Sequence, residues 1–298
     1  MYKRQVYNGA DAVYLGLDNF NARGNIENFT MDNLKDATTF AHMFGVKVYL
    51  TLNTLVKDEE FESVIDYVKN ALKSRVDAFI VQDIGLIYYL RQHFPNIELH
   101  ASTQMGLNNL EGVNALKDLG FSRVVLARET PLSEIKRIKE NSSVDIEYFV
   151  QGALCVSFSG NCYLCSLLTG ASGNRGKCKQ FCRLPFSASI GDEHRQGYLL
   201  STKDFCLLPK LKQLLDSGVT SLKIEGRARR PAYVAVATGI YRKALDNGFK
   251  YNDDDILKLK KVYNRGNFTL GYFTSEKIIY PYIQNHMGIK IGEVIDFS

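Results

Sequence analysis

All six cysteines of this 298-residue chain, Cys155, Cys162, Cys165, Cys178, Cys182 and Cys206, fall within 52 residues, and the other 246 residues carry none. Their spacing is C-x6-C-x2-C-x12-C-x3-C-x23-C. Cysteines placed for core packing do not cluster in this way, so the group points to chemistry that needs several sulfurs at once. Disulfides require an oxidising compartment, which no feature of the sequence supports. A structural zinc site takes two close pairs, and Cys162/Cys165 with Cys178/Cys182 fits that pattern. An iron–sulfur cluster takes four thiolates from a loop that wraps the inorganic core, and it tolerates irregular spacing. Spacing favours a metal centre over inert cysteines without choosing between zinc and iron. The segment LLTGASGNRGKCKQFCRLPF adds glycine N–H groups and the cations Arg175, Lys177, Lys179 and Arg183, which suit an anionic cluster or an anionic substrate.

Short β-branched runs at 11–17, 47–53, 77–83, 98–103, 123–128 and 146–152 alternate with amphipathic stretches. Their repeat of about 25 to 30 residues marks the β-α unit of a parallel sheet. Two more units, starting with GYLLST (197–202) and SLKIEG (221–226), follow an irregular insertion at 153–196. Eight strands predict an α/β fold of the TIM type, a (β/α)8 barrel whose active residues lie at the C-terminal strand ends; a doubly wound open sheet is the competing topology. Those ends carry Asn53, Gln82, Asp83, His100, Ser102, Arg128, Gln151, Lys203, Asp204, Glu225 and Arg227. Every β-α loop is polar, so a site is predicted only if these residues converge.

A composition of 45% hydrophobic and 23% charged residues is that of a globular chain able to bury a full core. The net charge of +5 permits an anionic partner such as RNA without requiring one. No run approaches the roughly 20 apolar residues of a membrane helix. The N-terminus also lacks a signal-peptide core, so a cytoplasmic protein with no membrane partner is expected. Neither H-E-x-x-H nor G-x-S-x-G occurs. A cysteine protease would need a histidine beside its thiol. Of His42, His93, His100, His194 and His286, only His100 is a candidate, across a barrel mouth.

EYFVQGALCVSFSGNC (147–162), GNRGKCKQFCRLPF (173–186), STKDFCLL (201–208) and SLKIEGRARRPAYVA (221–235) resemble blocks of the collagenase-like proteins, family U-thirty-two of the peptidase classification. GADAVYLG, ELHASTQM and NRGNFTLGYF extend the resemblance over nearly the whole chain. The resemblance implies a (β/α) barrel bearing a [4Fe–4S] cluster. It also implies oxygen-independent hydroxylation of a base in tRNA or large-subunit rRNA, with prephenate as hydroxyl donor; related proteins hydroxylate the ubiquinone ring. The alternatives are a collagenase-like peptidase and a zinc-stapled, non-catalytic RNA-binding module.

On this resemblance Cys155, Cys162, Cys178 and Cys206 match the cluster ligands, with Cys182 as substitute for Cys206, while Cys165 has no counterpart. Gln151 stands where the family commonly has a histidine, which leaves a hydrogen-bonding group in place of an acid–base group. A small dicarboxylate calls for guanidinium partners. Arg128 and Arg183, with Gln151, are the substrate-binding candidates, and Glu225, Arg227 and His100 the catalytic ones. Glu225 would orient Arg227 or move a proton; its structural alternative is an ion pair with Lys223. Tyr163, Phe181 and Tyr233 are candidates for stacking on RNA.

Family members place a strand and a helix before YGADAVYLG, and here MYKRQ (1–5) stands in that place. The pentapeptide reads as the translated end of a sequencing-library transposon, so it is expected to be an adapter remnant and the barrel to lack its first strand and helix. The loss makes GYLLST the strand to drop. The barrel is expected over 6–250, a helical and extended extension over 251–285, and the start of a truncated β-domain over 286–298.

Overall fold

The computed structural model describes residues 1–22, 24, 28–226, 228–292 and 296. Helix α1 (Tyr2–Tyr7) leads into strand β1 (Ala12–Gly16). There follow α2 (Met31–Met43), β2 (Lys47–Leu52), α3 (Phe61–Lys73), β3 (Ala78–Val81), α4 (Ile84–His93) and β4 (Leu99–Ala101). Next come α5 (Leu110–Asp118), β5 (Arg123–Val125), α6 (Leu132–Asn141) and β6 (Asp145–Ala153). The insertion carries α7 (Leu164–Thr169) and a hairpin of β7 (Phe186–Ile190) and β8 (Glu193–Gly197). The chain returns through β9 (Asp204–Cys206), α8 (Leu211–Asp216), β10 (Ser221–Ile224), α9 (Pro231–Asp246), α10 (Asp253–Val262) and β11 (Phe268–Thr269).

Side-chain caps start several helices where the strands hand over. Thr30 accepts from Asn33 N–H at α2, Asp83 from Leu86 N–H at α4, and Asn109 from Gly112 N–H at α5. Asp83, one of the strand-end polar residues, is thereby committed to structure; its other oxygen accepts from Val56 N–H.

Strands β1 to β6 pair in chain order, all parallel, and β10 joins the outer edge of β6 in parallel register, Ser221 opposite Glu147. Farther along β6, β9 pairs antiparallel, Gln151 opposite Cys206, and β11 pairs with β9. The fold is therefore mixed α/β with a mostly parallel central sheet. Seven of the eight predicted strand runs appear in it. GYLLST does not: Gly197 ends β8, and Thr202 makes only an isolated bridge to Ile279. Residues 278–281 take up its backbone groups instead, through Tyr198 N–H to Pro281, Lys203 N–H to Ile278 and Tyr280 N–H to Ser201.

The expected barrel lacks its first strand and helix, and among the described residues the sheet is curled but not joined into a closed ring. It curls until β1 approaches β10, where the Tyr14 hydroxyl donates to the Ile224 carbonyl at 3.4 Å, but no ladder joins the two strands among the described residues. Between them lies a cavity of about 540 Å³, lined by Ala12, Val13, Arg123, Leu222 and Lys223 among others. Residues 286–292 contain no strand.

Alternation along the strands sorts their side chains. Val13, Leu15, Val48, Leu50, Phe79 and Val81 belong to the large core shared with the helices. Tyr49, Ala78 and Ile80 form a separate small cluster with Ala12 and Tyr14 on the concave face. That face also carries charge. Glu147 pairs with Lys223, accepts from the Ser221 hydroxyl at 3.0 Å and lies 3.6 Å from Arg123, whose guanidinium donates to the Tyr49 hydroxyl at 3.3 Å. Arg123 and Lys223 also pack over the Tyr49 and Tyr14 rings.

His100 lies in this layer, fully buried against the Tyr49 ring, with Nε2 2.7 Å from Glu98. Its Nδ1 has no partner among the described residues, and burial holds its pKa below the ordinary histidine value despite the Glu98 contact.

Two outcomes follow for stability. Glu147→Met leaves the buried Lys223 without its carboxylate and Arg123 with Asp145 alone, and is expected to cost about 3–5 kcal/mol in urea unfolding. The His100 contribution is lost toward acid. An unfolded histidine takes up its proton near pH 6.5 while the folded ring resists, so stability falls as pH drops below about 6.5. His100→Gln should flatten that slope in unfolding curves taken between about pH 7.5 and 5, above the range where glutamates titrate.

Candidate functional site

The C-terminal strand ends converge on a mouth lined by Tyr14, Asn53, Ser102, Arg128, Phe149 and Glu225, among others. Arg128 is its central cation. The guanidinium lies 3.7 Å from the Phe149 ring centre and 3.4 Å from Glu225, and the Arg128 carbonyl accepts from the buried Tyr148 hydroxyl at 3.1 Å. The Glu225 carboxylate also accepts from the Tyr14 hydroxyl at 3.4 Å, and Asn53 donates to the Ser102 hydroxyl at 3.3 Å. Gly152, with φ of +132°, lies beneath Glu225; a Cβ there would come within 2.7 Å of the Glu225 Cβ. The free volume of the mouth is about 50 Å³. A guanidinium and a carboxylate so placed can hold an anionic ligand and move a proton to or from it, once the ligand displaces Arg128 from Glu225.

The cysteine-rich insertion packs over this mouth. Glu129, next to Arg128, accepts from both the N–H and the hydroxyl of Ser159, each at 3.0 Å. Gly160, with φ of +78°, brings the loop so close to Gln104 that a Cβ would fall 1.8 Å from its carbonyl oxygen. Arg175 reaches back to the Leu55 carbonyl and pairs with Glu60 at 2.5 Å.

All six cysteines are free thiols. Five belong to the insertion; Cys182 lies within electrostatic range of Cys155, Cys162 and Cys178, and Cys178 lies within range of Cys155 and is hydrogen-bonded to Cys165. Burial pushes the Cys182 thiol up to about 11 against the pull of Arg183, and Cys155, Cys178 and Cys162 push the same way. Two backbone N–H groups point at sulfur, Lys179 at Cys165 (3.3 Å) and Gln180 at Cys178 (3.4 Å). Cys206 is not brought to this loop. It is buried on β9 with its sulfur 3.8 Å from the Tyr241 hydroxyl of α9, and burial pushes its thiol up to about 11. Among the described residues no three His, Cys, Asp or Glu side chains converge on a single ion position.

The other predicted residues scatter. Gln151 is buried behind the mouth, accepting from Tyr241 at 3.3 Å, with its Nε2 unpartnered among the described residues. Arg183 is buried away from the mouth, bonded to Ser201, Thr202 and Leu154. His100 lies in the charged layer of the concave face and does not line the mouth. Arg227 lies outside the described residues. Lys223 pairs with Glu147, not Glu225. Tyr233 is buried, Phe181 half-buried, and Tyr163 exposed. Tyr14 and Phe149 were not anticipated as mouth residues; their inward register in apolar strands is the signal that could have found them.

The chain is similar to several bacterial proteins. A 23S rRNA 5-hydroxycytidine synthase of Escherichia coli is 37% identical over 98% of this chain and 47% of its own length, so the chain spans about half of that protein. A tRNA hydroxylation protein of Bacillus subtilis is 35% identical over 90% of this chain and 67% of that one. A collagenase of Porphyromonas gingivalis is 33% identical over 91% of this chain and 70% of that one. The family model matches residues 1–279, and the chain belongs to Peptidase family U32.

Proposed function

We propose that the chain carries the catalytic part of an iron–sulfur-dependent hydroxylase that replaces a C–H bond of an RNA base by C–OH without molecular oxygen. The base belongs to tRNA or large-subunit rRNA in the cytoplasm; a small dicarboxylate of the prephenate kind donates the hydroxyl, and the proton and two electrons released as C–H becomes C–OH pass to the solvent and to an external electron acceptor. The names of the Escherichia coli and Bacillus subtilis relatives support RNA hydroxylation as the activity.

One observation carries the metal part of the reading: five thiols share one irregular, N–H-rich loop that Ser159 ties to Glu129, next to the Arg128 of the mouth. The iron–sulfur core is assigned to Cys155, Cys162, Cys178 and Cys182, the ligand set that the family resemblance allows when Cys182 substitutes for Cys206. Such a cluster supplies one-electron chemistry or structural anchoring. Arg128 binds a donor carboxylate after leaving Glu225, and the released Glu225 takes or returns a proton at the mouth.

Two experiments test this. In anaerobically purified protein, Cys155→Ser, Cys162→Ser, Cys178→Ser and Cys182→Ser should each lose most of the iron, acid-labile sulfide and visible absorption, whereas Cys206→Ser should keep them. A colourless, zinc-loaded wild type would overturn the metal reading. In a host lacking its own hydroxylase, mass spectrometry of tRNA and 23S rRNA nucleosides should show a hydroxylated base with the wild type. Arg128→Ala should lower its yield about 10- to 100-fold, the value of a lost charge-assisted contact. Unmodified nucleosides in both pools would remove RNA as the substrate.

A further inference from the structure

Arg183 brings a positive charge into the interior with no carboxylate hydrogen-bonded to it. The residue is 5% exposed, and its guanidinium bonds run to neutral acceptors: the Ser201 hydroxyl (2.9 Å), the Leu154 carbonyl (2.8 Å), the Thr202 hydroxyl (2.7 Å) and the Thr202 carbonyl. The other buried cations nearby are answered. Arg265 holds Asp204 in a two-point contact at 2.9 and 3.2 Å, with the half-buried Arg229 at 3.4 Å, and elsewhere Lys223 has Glu147. Arg265 repels Arg183, so three guanidiniums share the single carboxylate of Asp204. Such a surplus is costly to bury unless negative charge lies close by.

The candidates for that negative charge are the thiols. Cys182 immediately precedes Arg183 in the same short helical turn, and Arg183 donates to the carbonyl of Leu154, which immediately precedes Cys155. The side chain therefore ties together the two chain segments that carry Cys155 and Cys182, and it is electrostatically coupled to both sulfurs. A neutral thiol leaves the guanidinium with only its share of Asp204, while a thiolate bound to an anionic metal core would answer it in full.

We propose that Arg183 is the fixed counter-charge of the thiolate centre on the cysteine loop and raises the reduction potential of the cluster held there. The inference rests on the iron–sulfur reading above. On reduction one electron enters the centre from an external reductant, no bond forms or breaks, and the centre gains one negative charge, which a buried cation stabilises. Arg183 is thus a positioning and tuning residue that never touches substrate.

The test is an anaerobic dithionite titration with redox mediators, followed by electron paramagnetic resonance, on wild type, Arg183→Gln and Arg183→Lys holoprotein, with thermal melts as folding controls. Arg183→Gln should move the midpoint potential downward and Arg183→Lys should stay near the wild type. If Gln loses the cluster while Lys keeps it, the requirement for charge is equally shown. Equal potentials in all three proteins, equal shifts in both variants, or loss of the cluster from both would make Arg183 a structural tie only and overturn the inference. A wild type free of iron and sulfide would end the iron–sulfur reading, and this inference with it, before any variant is compared.

Discussion

Charge removed from water must find charge or hydrogen bonds inside, and in this chain that requirement shapes the concave face, the end of the sheet and the cysteine loop. Glu147 enters the sheet on β6 and is met from one neighbour by Arg123 on β5 and from the other by Lys223 on β10. A one-residue slip of either strand would turn its charge into the apolar helix layer. The same logic applies at Asp204, where β9 leaves the parallel order: Arg265, from the segment just before β11, holds the carboxylate and brings β11 alongside. Strand register and strand order are thus fixed by ion pairs where the strands are too short for hydrophobic alternation to fix them alone, since β4, β5 and β9 have three residues each.

The parallel part of the fold was readable because its strands face two ways in a regular rhythm. KVYLTL puts valine and leucine against the helices and tyrosine and threonine toward the concave face, and AFIV, buried throughout, repeats the pattern. GYLLST, whose apolar pair resembles a strand, stays out of the sheet as the recount of strands expects, and its backbone is claimed by residues 278–281, more than seventy residues later in the chain. No local pattern announces such a partner. DFC, at three residues, is too short to register as a strand, and its antiparallel pairing depends on Gly152 and Gln151 of β6.

The site was legible in part for a related reason. Arg128 and Glu225 stand at predicted strand ends, and the sheet brings them within 3.4 Å. Cysteine spacing marked the loop but could not say which sulfurs share it. Cys206 follows Cys182 by an interval that a loop could close, yet β9 turns its sulfur to Tyr241 in the helical layer. Arg183 reads in sequence as a loop cation free to bind substrate. Its guanidinium is instead consumed by acceptors from residues 154, 201 and 202, a convergence that exists only once β6 and the segment before β9 lie side by side.

The histidines bear on the proteolytic activity for which the family is named. A thiol nucleophile needs an imidazole within hydrogen-bond reach, and none of the five is bonded to sulfur. His42 is held by Asp77, His100 by Glu98 and His194 by Ser189; His93 packs on Tyr89 and His286 stacks on Tyr263. Burial pushes the Cys182 and Cys178 thiols up, away from the thiolate that attack requires. Thiols that are hard to ionise alone and crowded together, beside a buried cation, are poor nucleophiles. A metal core that displaced their protons would turn such thiols into ligands, since bonds to the core would stabilise the thiolates that burial disfavours.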